Sequence, residues 1–103
     1  IETNFIQNNL ISSSNFPNPF NPSTTIEFSI EQNQQNEQVK LVIYNIKGEK
    51  VRELPIVTPS PSHTFSVTWN GTDDYNKPVS SGVYFYKMKA GEYNSIKKMM
   101  LLK

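Results

Sequence analysis

The sequence predicts an all-β domain of about seven short antiparallel strands. Three observations carry that expectation. Several stretches alternate apolar and polar side chains with the two-residue period of a pleated strand. Turn chemistry separates them, at Lys47-Gly48, Asn70-Gly71, Lys77-Pro78, Ser81-Gly82 and Gly91-Glu92. No window repeats its apolar residues at helical spacing. At 103 residues the chain has the length of one domain with a modest single core.

Residues 1–15 are rich in Asn and Ser, and Phe5, Ile6, Leu10 and Ile11 are their sizeable apolar groups. They read as a linker or upstream tail, with room for a short strand around residues 5–11. Residues 16–22, Phe16-Pro17-Asn18-Pro19-Phe20-Asn21-Pro22, form a boundary. Three prolines fix φ, remove three backbone donors and push Phe16, Asn18 and Asn21 towards extended geometry. Neither a helix nor a central strand fits there. The rings of Phe16 and Phe20 are expected to pin this stiff segment onto the folded part, which spans residues 16–103.

The first clear strand is 24–30, with Ile26, Phe28 and Ile30 on one face and Thr25, Glu27 and Ser29 on the other. Residues 31–37 form an Asn/Gln loop. The stretch 38–46 is the most β-prone: Val39, Leu41 and Ile43 share one face, Val42, Tyr44 and Ile46 the other, as in an interior strand. A turn at Lys47-Gly48 returns the chain as strand 50–54, a hairpin. Pro55, Pro59 and Pro61 stiffen a connector. Strand 63–69 follows, with Phe65, Val67 and Trp69 inward, and residues 70–82 are a long loop. In strand 83–90, Lys87 and Lys89 share a face with Val83 and Phe85, which leaves Tyr84, Tyr86, Met88 and Ala90 for the core. Gly91-Glu92 turns into a final strand over 93–102. Short strands of this spacing fold as an antiparallel β-sandwich of immunoglobulin or fibronectin type, here without a disulfide because there is no cysteine.

Composition excludes several functions. A hydrophobic share of 36% and a charged share of 18% leave a polar, uncharged surface, and a net charge of +1 gives no reason to expect nucleic acid or a membrane as partner. From Lys77 onward there are six lysines against Glu92 alone, whereas residues 1–76 carry four basic and eight acidic side chains. Lysines on edge strands, where they block edge-to-edge pairing, account for this better than a binding surface does. The absence of cysteine removes thiolate metal sites and thiol nucleophiles. No apolar run is long enough to span a bilayer, and no signal peptide opens the chain, so an exported protein would carry its leader elsewhere and this chain would be a fragment of something longer.

Chemistry-bearing motifs are sparse. His63, the one histidine, has no companion ligand or nucleophile near it. Asp73 and Asp74, with Asn70, Thr72 and Asn76, are weak candidates for calcium, since Asp and Asn in turns serve their own backbone first. Asn70-Gly71-Thr72 has the form of a glycosylation sequon but is more simply a turn. Tyr44, Tyr75 and Tyr93 are the tyrosines left for the surface, a thin basis for sugar stacking. No enzyme and no cofactor is expected.

Four ordered blocks carry a resemblance. Residues from Phe16 and Pro17 through Pro19, Phe20 and Pro22 to Ile26 resemble the opening of the C-terminal sorting domains of type IX secretion cargo, the type A family. The stretch from Val39 to Gly48 with Val51 looks like that family's central hairpin. Trp69 and Gly71, then Asp73-Asp74 and Lys77-Pro78, then Gly82-Val83-Tyr84 look like its Trp-to-Gly-Val-Tyr loop. The end, Lys97-Lys98-Met99-Met100-Leu101-Leu102-Lys103, resembles its basic and hydrophobic terminus. The fold is also similar to the immunoglobulin-like domain of the flagellar hook-capping protein. Phe16 stands where tyrosine is usual, Asn70 where aspartate is usual, and the 55–62 connector lacks the usual glycine. The resemblance implies a non-enzymatic, monomeric sorting module covalently linked to an upstream cargo, read in the periplasm by outer-membrane secretion machinery and delivered to the cell surface or the medium. Residues 97–103 are the expected docking element. Two other readings are a carbohydrate-binding or spacer sandwich appended to a secreted polysaccharide-degrading enzyme, and a self-assembling structural subunit of the hook-cap kind.

Overall fold

The computed structural model describes residues 9–31, 39–56, 64–90 and 93–103. Seven strands follow one another: β1 (Asn9–Phe16), β2 (Thr24–Glu31), β3 (Val39–Asn45), β4 (Lys50–Pro55), β5 (Thr64–Trp69), β6 (Gly82–Ala90) and β7 (Tyr93–Leu101). They form a three-stranded sheet, β1-β2-β5, and a four-stranded sheet, β4-β3-β6-β7. All strand neighbours are antiparallel. The expected seven-stranded all-β fold is what the chain adopts.

The core lies between the sheets, where the alternation placed it. The three-stranded sheet contributes Ile26, Phe28, Phe65 and Trp69; the four-stranded sheet contributes Leu41, Ile43, Tyr84, Tyr86, Met88, Met99 and Leu101. Phe28 and Phe65 stack across β2 and β5 with ring centroids 5.3 Å apart. Facing the core from β6 are Tyr84, Tyr86 and Met88, as Lys87 and Lys89 on the opposite face required. Burial pushes the Tyr86 hydroxyl pKa upward, because the interior disfavours a phenolate.

Two expectations are corrected here. The stretch read as linker to residue 15 is strand from Asn9 on: Asn9 to Phe16 pair with Glu31 to Thr25 of β2, with an irregularity between Leu10 and Ser12. Its Ser12-Ser13-Ser14 run holds no alternation, but the backbone ladder to β2 needs none. Ile46, assigned to a strand face, lies past the end of β3 and is exposed. The loop expected at 31–37 from residue 32 on, the 55–62 connector from residue 57 on, His63 at the expected start of the next strand, and the Gly91-Glu92 turn lie outside the described residues, as do residues 1–8.

Strand register puts three connections and the end of the last strand at one end of the sandwich. There the proline segment joins β1 to β2, the hairpin joins β3 to β4, the long loop joins β5 to β6, and β7 finishes. The hairpin turn is closed by Asn45, whose Oδ1 accepts the N–H of Lys47 and of Glu49 while its carbonyl accepts the N–H of Gly48. Gly48 has φ of +83°, a conformation that costs glycine little.

Candidate interaction surface

The motif residues converge on that end. Phe20, only 2% exposed, meets the Trp69 indole with ring centroids 5.6 Å apart. Trp69 in turn makes an edge contact with Tyr84 at 5.4 Å. The indole N–H donates to the Thr72 carbonyl at 2.8 Å, and the Tyr84 hydroxyl donates to the Ser80 carbonyl at 2.7 Å, so both buried aromatics satisfy their polar ends locally. Gly71 has φ of +76°, and a Cβ there would stand 3.0 Å from the Pro22 carbonyl oxygen. Gly82 opens β6 with φ of +153°.

The proline segment is tied down by backbone and side chain together. Thr24, buried at the start of β2, donates its hydroxyl to the Pro17 carbonyl at 2.8 Å and accepts from Asn15 Nδ2. The Phe20 N–H donates to the Met100 carbonyl and the Phe20 carbonyl accepts from the Leu102 N–H, at 3.0 and 2.9 Å. Asn18 Oδ1 takes the Met100 N–H at 3.0 Å. Pro19 and Pro22 are exposed bends between these ties. Of the two rings expected to pin the segment, only Phe20 does so; Phe16 is 81% exposed. Register explains the difference: Phe16 faces Thr25, on the outward side of the three-stranded sheet.

The expected docking element divides in two. Met99 and Leu101 are core residues at 1% and 0% exposure, so no partner meets them on the folded domain. Lys97, Lys98, Met100, Leu102 and Lys103 are exposed. β7 is an edge strand, and the groups of Met100 and Leu102 that face outward are taken by Asn18 and Phe20. By the alternation of an antiparallel ladder, Lys98 and Ile96 turn their N–H and C=O groups to the same outward edge.

The acidic loop is spent on holding itself together. Asp73 Oδ1 accepts the N–H of Tyr75 at 2.8 Å and of Lys77 at 3.0 Å. The Lys77 N–H, with that of Tyr75, holds the Asp73 carboxyl pKa below its ordinary value. Asp74 Oδ1 accepts the Glu53 N–H at 3.1 Å. Arg52 reaches across from β4 and donates to the Thr72 hydroxyl, the Asp73 carbonyl and Asn76 Oδ1, at 2.8, 2.6 and 3.1 Å. A guanidinium thus sits where a calcium ion would need those oxygens, and it was the residue that sequence reasoning passed over. The Thr72 hydroxyl donates to Asn70 Oδ1. Tyr44 is half-buried on the outer sheet face and Tyr75 is 82% exposed on the loop, so the two do not form one platform.

Edge protection accounts for some of the lysines, since Lys97 and Lys98 lie on the edge strand β7, but not for others. Lys40 lies on β3 and Lys87 and Lys89 on β6, the two interior strands of the four-stranded sheet. Register arranges the outer face in rows: Pro55 beside Lys40 beside Lys89 beside Asn94, then Glu53 beside Val42 beside Lys87 beside Ile96, then Lys50 beside Tyr44 beside Phe85 beside Lys98, then Val83 beside Met100. The outer face of the other sheet carries hydroxyls instead, such as the Thr25–Thr68 pair whose Oγ1 atoms lie 3.1 Å apart.

A profile of the FlgD Ig-like domain matches residues 13–94. The dimeric latent PorU of Porphyromonas gingivalis is similar in structure over 87% of this chain, with 26% identity and a TM-score of 0.75; the match spans 9% of PorU. PorZ of Porphyromonas gingivalis, an essential bacterial surface component of its type IX secretion system, is similar over 88% of this chain at 18% identity and a TM-score of 0.60, and that match spans 11% of PorZ. This chain therefore corresponds to a small part of either protein. No curated protein matches it.

Proposed function

The chain belongs to the family of FlgD Ig-like domains, and from that premise we propose that it acts as a non-enzymatic C-terminal sorting module. Its cargo would be a longer protein passed from the periplasm through the outer membrane by type IX secretion, to the cell surface or the medium. The observation that carries this reading is the likeness to PorU, in which the same fold recurs as a small part of a much larger chain. The four sequence blocks add to it, because the residues they name meet at one end of the sandwich, where Phe20, Trp69, Gly71 and Tyr84 lock the C-terminal strand in place.

The docking element is the exposed side of residues 97–103. Met99 and Leu101 anchor it from within, while Lys97, Lys98, Met100, Leu102 and Lys103 face the receptor. The outward backbone at Ile96 and Lys98 offers an edge to a receptor strand.

The test is export of a reporter fused upstream, in a host with this secretion system. Reversing Lys97, Lys98 and Lys103 together to Glu is expected to hold the reporter in the periplasm while leaving the melting temperature unchanged. Undiminished export of that variant overturns the assignment.

A further inference from the structure

We infer that the outer face of the four-stranded sheet is a docking surface for an acidic, partly apolar protein surface. Three observations carry this. The face joins basic and apolar groups: Phe85, Tyr44 and Val42 are half-buried, Ile96 and Met100 are 61% and 37% exposed, and Lys40, Lys87, Lys89 and Lys98 stand among them. Among the described residues only Lys50 has an acidic partner, Glu53 at 3.2 Å. Lys40 and Lys89 are direct cross-strand neighbours, an arrangement of like charges that destabilises a sheet.

Edge protection does not account for that arrangement, since β3 and β6 have no free edge. An acidic partner does. It would neutralise the Lys40–Lys89 pair, steer its own approach by the basic field, and cover the apolar rows that run towards Met100. Aromatic and methionine side chains, here Tyr44, Phe85 and Met100, are the kinds enriched at protein interfaces. A bare polyanion would leave the apolar rows uncovered. A second copy placed face to face would oppose lysine to lysine. The inference goes beyond the sorting reading: the face shares Ile96, Lys98 and Met100 of β7 with it, but the substitutions that test it are Lys87 and Lys89 of β6, so either can fail without the other.

The test is a titration of the whole isotope-labelled chain, followed by amide resonances, with a short amphipathic peptide bearing Glu on one side and Leu on the other. Expected are shifts clustered at Val42, Phe85, Lys87 and Ile96. They should be absent with the Gln-for-Glu peptide and weakened about tenfold or more by the double change Lys87→Glu, Lys89→Glu. The single change Lys89→Ala should weaken binding without lowering the melting temperature, because it relieves the like-charge pair; a lowered melting temperature would count against the inference. Absent shifts, or shifts that map elsewhere, overturn it. So do equal effects from polyglutamate or from phosphatidylglycerol vesicles, which would reduce the face to a polyanion site. Concentration-dependent dimerisation through the same residues would make it a self-contact instead.

Discussion

Phe16 and Phe20 stand four positions apart in one motif, yet they differ by an entire side chain's worth of burial energy. Phe20 closes one end of the core against Trp69, so Phe20→Ala is expected to destabilise the domain by about 3–5 kcal/mol in urea unfolding. Phe16→Ala, at an exposed outward position, should stay within about 0.5 kcal/mol of the unaltered chain in the same measurement. The prolines announced a stiff segment, but which ring turns inward follows from the pairing of Phe16 with Thr25, a contact between strands that no local pattern encodes. Gly71 makes a similar point. As a turn dipeptide it was legible in Asn70-Gly71, while its closeness to the Pro22 carbonyl was not. Gly71→Ala should cost about 1 kcal/mol or more, since it adds left-handed strain to a contact that cannot easily yield, and a thermal melt would register the loss.

At the level of elements, β2, β5 and β6 could be read directly because each sets apolar against polar side chains, and β3 because its β-prone residues are apolar on both faces. Strand β1 could not, since Ser12-Ser13-Ser14-Asn15 offers no alternation of apolar and polar side chains, and its pairing with β2 is a backbone ladder. The last strand was located, but its two faces were treated as one element. Met99 and Leu101 belong to the core, so removing residues 99–103 takes away two buried side chains, each of the kind that costs about 2–5 kcal/mol when truncated. It also removes the backbone partners of Phe20. Loss of cooperative unfolding, followed by circular dichroism, is the expected outcome, and a simple truncation therefore cannot separate docking from folding. The loop between β5 and β6 has its own signature. Asp73 is bound as a carboxylate, so its folded pKa lies below the ordinary 3.8. Its contribution to stability is present above that value and is lost as pH falls through the folded pKa. Asp73→Asn should flatten the acid limb of a stability-against-pH curve, which a series of melts below pH 4 would reveal.

For the whole molecule, the two outward faces differ although the core treats both sheets alike. One is lined by Thr and Ser, the other by lysines among apolar groups. The sequence showed the charge imbalance of its last third without showing where it would lie, because a strand's neighbours are decided by topology and not by its own composition. Among the described residues, the bridge from Phe20 to Leu101 is a parallel pairing between the proline segment and the last strand. Both β1 and β7 run towards this bridge, so Asn9 and Lys103 lie at opposite ends of the sandwich. A tension applied between those two residues would act along the strands, and the hydrogen bonds of Phe20, Met100 and Leu102 would share the load at once instead of opening one after another. Under such a lengthwise pull the fold resists in shear, as a coupling link does.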